Sequence, residues 1–278
     1  MTRSDSAPSP VVVKVGGALL DDAAALRTFL SHAAKAAGRL VLVHGGGGAT
    51  DRLLARLGID TPRIEGLRAT PDEAIDVVVG SLAGTANHRL VAGLHASGAR
   101  AVGLSLTSGG LCRCERAHAE SGDLGRVGLA HAGDGEAVRL LLGAGYLPVV
   151  SSIGDDGARG ALNVNADDAA VAVAATLGAR EVVLLTDVAG VRGGDGQPMA
   201  ELDEAQADRL IETGVIAGGM IPKVRGAVRA SAALGRGVRI GSWNDAGWLD
   251  LLTTRSSADA AFGTLVTARV HPIAAGDR

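Results

Sequence analysis

The sequence predicts an α/β fold, a largely parallel sheet covered by helices on both faces. Three observations carry this. Short aliphatic runs alternate along the chain with segments that repeat apolar residues at helical spacing. Several of those runs end in glycine-rich turns. Hydrophobic residues make up 47% of the 278 residues and aromatics only 2%, so the core has to be aliphatic, as strands buried on both faces are.

In chain order, strands are expected at "VVVKV" (11–15), "LVLVH" (40–44), "AVGLS" (101–105), "YLPVVSS" (146–152), "EVVLLT" (181–186) and "GVRIG" (237–241). A helix over 21–37 opens on acidic residues, which suit its N-terminal dipole. "ADDAAVAVAATLG" (166–178) is an alanine-rich helix with a glycine stop. A third helix, 218–235, tolerates Pro222 only because it falls in the first turn. Residues 108–133 break the alternation: short pieces between glycines predict hairpins, a lid or edge over a site. The opening "MTRSDSAPSP" reads as a loose tail over 1–10, and "HPIAAGDR" as a frayed end.

Composition excludes several classes. A formal charge of −3 and scarce aromatics argue against a nucleic-acid surface. No apolar run approaches the roughly 20 residues that cross a bilayer, so no membrane association is expected. Cys112 and Cys114, two apart on one strand, suit neither a local disulfide nor a zinc site and read as small hydrophobes. A reducing cytoplasm fits that usage.

Lysine is nearly absent: 24 of the 27 basic residues are arginine, leaving Lys14, Lys35 and Lys223. Lys14 sits among valines in a core strand, where an ammonium is costly without a partner. Lys223 falls in the first turn of the third helix, where a solvated side chain is the plainer reading. Phosphoryl transfer needs compact positive charge between phosphate oxygens, and both lysines lie beside glycine turns.

Four strand ends lead into motifs, the edge at which open α/β sheets bind ligands. They are "KVGG" (14–17), "HGGGGATDRLL" (44–54), "NVNADDAA" (163–170) and "LTDVAGVRGGDGQP" (185–198). Backbone N–H groups of a glycine turn at a helix start suit an anion, although such a turn can also be purely structural. Neither the dinucleotide G-x-G-x-x-G spacing nor a "GKS" or "GKT" is present. Asn163 and Asn165 share a face if extended. Asp167 read locally is an N-terminal helix residue. His44 reads as a strand-end hydrogen-bonding residue rather than a base.

Taken together, "VKVGGALL", "VHGGGGATDRLL", "IEGLRATPDEAIDVVVGSLAGTANHRLV", "GYLPVVSSIG", "LNVNADDAA", "LTDVAGV" and "GGMIPKV" resemble the amino-acid kinase family from about Val11 to Thr264. The resemblance implies a three-layer αβα sandwich with an open sheet, one continuous kinase domain. Residues 11–178 would form the acyl amino-acid lobe and 179–278 the ATP lobe. It implies phosphorylation by ATP of the γ-carboxylate of N-acetyl-L-glutamate, a step of arginine biosynthesis, with Mg2+ held mainly by phosphates and water and no protein metal ligand. Lys14 would contact the transferring phosphoryl group, Lys223 would neutralise the leaving side, and Asp167 would hold both ammonium groups. Gly46 and Gly47 would offer amides, Arg68 would grip the α-carboxylate, and Asn163 would bind the acylated amino acid. Asp187, Val188, Ala189, Gly190, Val191 and Arg192, with Val215, Ile216 and Ala217, would line the nucleotide pocket. A carboxylate nucleophile needs no general base.

Ala69, Gly48 and Gly218 depart from the family pattern, and none carries a proposed charge. Arginine-inhibited members of that family carry an additional N-terminal helix that links dimers into rings; with about ten residues before the first strand, too few for such a helix, the resemblance implies a homodimer without arginine feedback. Two other functions compete: a kinase for carrier-protein-bound aminoadipate or glutamate, and a non-catalytic nucleotide or amino-acid sensor.

Overall fold

The computed structural model describes residues 9–64, 66–120, 122–158, 160–252 and 261–268. Residues 1–8 of the tail expected over 1–10, and the frayed end expected over 271–278, lie outside them.

The first half runs β1 (Val11–Val15), α1 (Gly17–Asp21), α2 (Ala23–Ala33), β2 (Leu40–His44), α3 (Gly47–Arg56), β3 (Arg63–Ile64), β4 (Leu67–Arg68) and α4 (Asp72–Val79). A π-helical segment (Gly80–Ala86) joins α4 to α5 (Asn87–Ala96), followed by β5 (Ala101–Ser105), β6 (Cys112–Arg116), β7 (Val127–Ala132) and α6 (Glu136–Gly143). Then come β8 (Leu147–Ser151), β9 (Ile153–Asp155), β10 (Ala161–Val164), α7 (Ala166–Leu177), β11 (Glu181–Thr186), β12 (Glu201–Asp203), α8 (Glu204–Glu212), α9 (Met220–Leu234), β13 (Val238–Ser242) and β14 (Thr264–Thr267).

Eight strands form the main sheet in the order β12-β14-β13-β11-β1-β2-β8-β5. Every neighbouring pair is parallel except β13 with β14. The period of two sorts β1 between two cores. Val12 packs with α6, α7, α8 and α9 on one face, and Val11, Val13 and Val15 pack with α1, α2 and α5 on the other. Each fully buried valine or leucine contributes about 1.5–3 kcal/mol of transfer free energy. Lys14 alternates with Val13 and Val15, and so shares Val12's face, beneath α7. That register is what brings a lysine of β1 to the start of α7.

The segment over 21–37 is not one helix. Asp22 adopts an extended conformation and its carboxylate accepts the amides of Ala24 and Ala25, so it ends α1 and caps α2. Helix α7 ends at left-handed Gly178 as expected, and α9 carries Pro222 in its first turn. The predicted hairpin is β6–β7, which joins β10 and β9 in a four-stranded sheet beside the main one. Cys112 is a free, buried thiol whose pKa burial pushes up to about 12, and Cys114 is half-buried.

Candidate active site

Strands β13, β11, β1 and β2 are adjacent and parallel, so their C-terminal ends deliver Trp243, Asp187, Gly16 and Gly45 side by side. At the centre of this edge, Lys14 Nζ lies 2.8 Å from Asp167 Oδ1. The lysine side chain is 18% exposed, so its charge is largely removed from water and the carboxylate compensates it. Asp167 stands in the first turn of α7, whose N-terminus is capped by Asn165: its side-chain oxygen accepts from Asp167 N at 2.8 Å and Asp168 N at 3.2 Å. A cap and a helix dipole thus fix the carboxylate before any ligand arrives.

Lys223 lines the same pocket as Lys14 and Asp167. It does not pair with Asp167, as expected from the sequence, but with Asp187, at 3.2 Å, and with the Thr186 hydroxyl. The reason is positional: Asp187 directly follows β11, within reach of Lys223 in the first turn of α9. Thr186 and Lys223 both hold the Asp187 carboxyl below the usual carboxylate range. Two ammonium groups therefore converge on one pocket, each with its own carboxylate.

Beside it lies a second pocket lined by Gly45, Gly46, Gly47, Arg68, Asn163 and Asn165, among others. Arg68, on β4, is oriented by Asp51 of α3 and by the Thr61 hydroxyl at 3.2 Å. Asn163 Nδ2 donates to Thr70 Oγ1 at 3.0 Å, and that hydroxyl donates to the Arg68 carbonyl at 3.0 Å. Arginine and asparagine are thus tied across the floor by one threonine. The two asparagines diverge in use: Asn163 reaches Thr70, whereas Asn165 is spent on the cap.

The two pockets share a wall made of glycine. Gly17 and Gly47 touch so closely that a methyl on either would overlap the backbone of the other. Gly47 also takes a φ of 54°, which glycine adopts without strain.

A third pocket is lined by Val188, Gly190, Val191, Arg192, Val215, Ile216, Ala217 and Met220. Its aliphatic wall and single arginine suit a flat, apolar ring with polar edges. Of the residues expected there, Ala189 is exposed outside the lining and Asp187 belongs to the lysine pocket instead.

Sequence reasoning missed Thr186, Trp243, Arg63, Asp51 and Met220. Thr186 and Trp243 each sit at the end of a parallel strand and could have been found from that rule alone. Arg63, which also lines the Arg68 pocket, and Asp51 carried no such signal, because Arg63 enters through a two-residue strand and Asp51 through an exposed helix face.

Residues 9–242 match the model of the amino acid kinase family. The chain belongs to the amino acid kinase family. Among its relatives within that family, the acetylglutamate kinase of Vibrio cholerae serotype O1 is 46% identical over 244 residues, covering 86% of this chain and 92% of the relative. That of Moritella profunda is 45% identical over 247 residues, covering 87% and 92%. Among solved structures, the kinase fold here superposes on N-acetylglutamate synthase from Neisseria gonorrhoeae, complexed with coenzyme A and N-acetyl-glutamate. The TM-score is 0.77 at 26% identity, over 95% of this chain and 60% of that one. The rest of that longer chain is unaligned.

Proposed function

We propose that the protein transfers the γ-phosphoryl group of ATP to the γ-carboxylate of N-acetyl-L-glutamate, giving an acyl phosphate and ADP in arginine biosynthesis. The observation that carries this is the lysine pocket set between two others. On one side is a polar pocket with an arginine, an asparagine and a glycine turn; on the other is an aliphatic one. The identities of 44–46% to acetylglutamate kinases support the same reading.

The residues divide the work. Arg68 receives the substrate α-carboxylate with its planar fork. Asn163 meets the acylamino group. The amides of Gly46 and Gly47, at the start of α3, receive the oxygens of the transferring group. Lys14 places its ammonium on that group while Asp167 keeps it aimed. Lys223 leaves Asp187 in part to follow the charge that develops on the leaving side. The nucleotide base lies against Val191, Val215, Ile216 and Met220. Magnesium would travel with the triphosphate, held mainly by its phosphate oxygens and by water.

The nucleophile is an ionised carboxylate at neutral pH, so the reaction draws no proton from the enzyme. The protein's task is alignment and charge compensation, which is most of what phosphoryl transfer requires. A homodimer in the cytoplasm is part of the same proposal, checked by the mass in solution. Among the described residues no helix is long and apolar enough to cross a membrane.

The test is ADP release with N-acetylglutamate, glutamate, aspartate and a carrier-bound glutamate offered in turn. Turnover should be fastest with N-acetylglutamate. Preference for the carrier-bound acceptor, or nucleotide binding without turnover of any, would overturn the assignment.

A further inference from the structure

Behind the glycine turn lies a buried pair that the phosphoryl chemistry above does not use. His44 ends β2 with no exposed surface, and Asn87 opens α5, 5% exposed. His44 Nδ1 lies 3.1 Å from the carbonyl oxygen of Gly45, and its Nε2 lies 3.0 Å from Asn87 Nδ2. A carbonyl oxygen only accepts, and an amide nitrogen only donates. Nδ1 therefore carries the proton and Nε2 the lone pair. The orientation of Asn87 is fixed independently, since the same Nδ2 donates to the Val149 carbonyl at 2.9 Å, which an oxygen in its place could not do. Burial lowers the His44 pKa to about 4, against a smaller opposing effect of the Gly45 bond, so the ring is neutral at pH 7.

The consequence falls on the turn. The Gly45 carbonyl and the Gly46 N–H belong to one trans peptide plane and point in opposite directions. Holding the carbonyl on the buried ring turns the N–H away from that ring, and Gly45 and Gly46 line the polar pocket whereas His44 and Asn87 do not. Gly46 is the N-cap of α3, where amides have no intrahelical acceptor.

The surroundings are shaped for this pair. The π-helical segment Gly80–Ala86 leads directly into Asn87. Its Ser81 hydroxyl bonds Thr50 Oγ1 of α3 at 2.8 Å, and its Leu82 covers Gly46 so closely that a methyl there would overlap it. On β5, Gly103 leaves the room that the Asn87 amide occupies. A π-turn at a functional site is a recurrent use of that geometry.

We propose that His44 is a positioning residue for phosphoryl transfer: as the Nδ1–H imidazole selected by Asn87, it holds the Gly45–Gly46 peptide with the Gly46 amide facing the reacting oxygen. This rests on the reading above that the Gly46 amide meets the substrate.

Two measurements test it. In the full-length wild-type protein, long-range proton–nitrogen correlation of the histidine rings, with His44 assigned from its absence in H44N, should show a protonated Nδ1 and a bare Nε2 from pH 6 to 8. An Nε2–H ring or an imidazolium at pH 7 would overturn the proposal, whether or not the enzyme turns over N-acetylglutamate. In the turnover assay, His44→Leu should lower kcat about tenfold to a hundredfold with the KM for ATP little changed. His44→Asn, whose amide reaches the place of Nδ1, should recover most of that loss. Wild-type kcat in a folded H44L, or equal losses in H44N and H44L, would contradict the positioning role. If H44L does not fold, the ring spectrum and the kcat of H44N against wild type decide: a hundredfold loss in H44N would reject it. Inactivity of the wild-type protein toward N-acetylglutamate would instead sink the functional reading and leave the tautomer to be judged by the spectrum.

Discussion

Lys14 and Asp167 meet at 2.8 Å although 153 positions separate them in the chain, one ending a strand and the other opening a helix. The pairing compensates a charge that the valines around it cannot, and aims an ammonium into the pocket that Lys14 lines with Asp167 and Lys223. Lys14→Arg should therefore depress kcat by about a hundredfold or more while the KM values change little, since the guanidinium keeps the charge and loses the fit. A rise confined to KM would assign Lys14 to ground-state binding.

Asp167→Asn leaves the helix cap intact but removes the partner of Lys14. Its kcat should fall by a factor similar to that of Lys14→Ala, and the double variant should be little worse than either single one. Additive losses would show that the two residues act independently.

Gly17→Ala tests the shared glycine wall. The added methyl overlaps the backbone of Gly47, so stability should fall by about 1–3 kcal/mol. Denaturant midpoints measure this, and Gly143→Ala is the comparison. Gly143, like Gly17, lies in a helix without a positive φ, but nothing stands within 4 Å of where its methyl would sit, so it reports the substitution without the overlap.

His44 gives a pH prediction with a definite sign. Its folded pKa, about 4, lies below the unfolded value, so between about pH 6.5 and 4 the unfolded chain binds a proton that the folded chain does not. Stability should fall with pH through that window, by an amount on the order of 3 kcal/mol from this group. Thermal or denaturant unfolding of wild type and H44N from pH 7 to 4 should show the shallower slope in H44N.

The pair Glu181–Arg239, 3.2 Å apart and almost wholly buried between β11 and β13, sits at the opposite end of β11 from the site. Arg239→Met alone should cost about 3–5 kcal/mol by taking the cation away from the buried carboxylate. Adding Glu181→Leu should restore most of it, and kcat should be unaffected in the folded double variant. An equally unstable double variant would mean that the arginine acts through its Phe262 carbonyl bond instead.

The six strands were legible because buried parallel strands are uninterrupted aliphatic runs, and α7 because a cap, an acidic turn and a glycine stop frame it. Lys14 was legible as a charge without a local partner. What the sequence hid depends on side-chain geometry across elements. Asp22 breaks its helix by capping the next one, Lys223 chooses Asp187 over Asp167, and the π-helical turn carries no residue pattern of its own. Asp51 became a site residue only when β4 laid Arg68 across α3.

The most direct test of the central claim is to trap the product. With N-acetylglutamate, ATP and magnesium, hydroxylamine should yield a hydroxamate equal in amount to the ADP released, and Lys14→Arg should lose both together. ADP release without hydroxamate, or no release at saturating ATP and acceptor, would contradict the account.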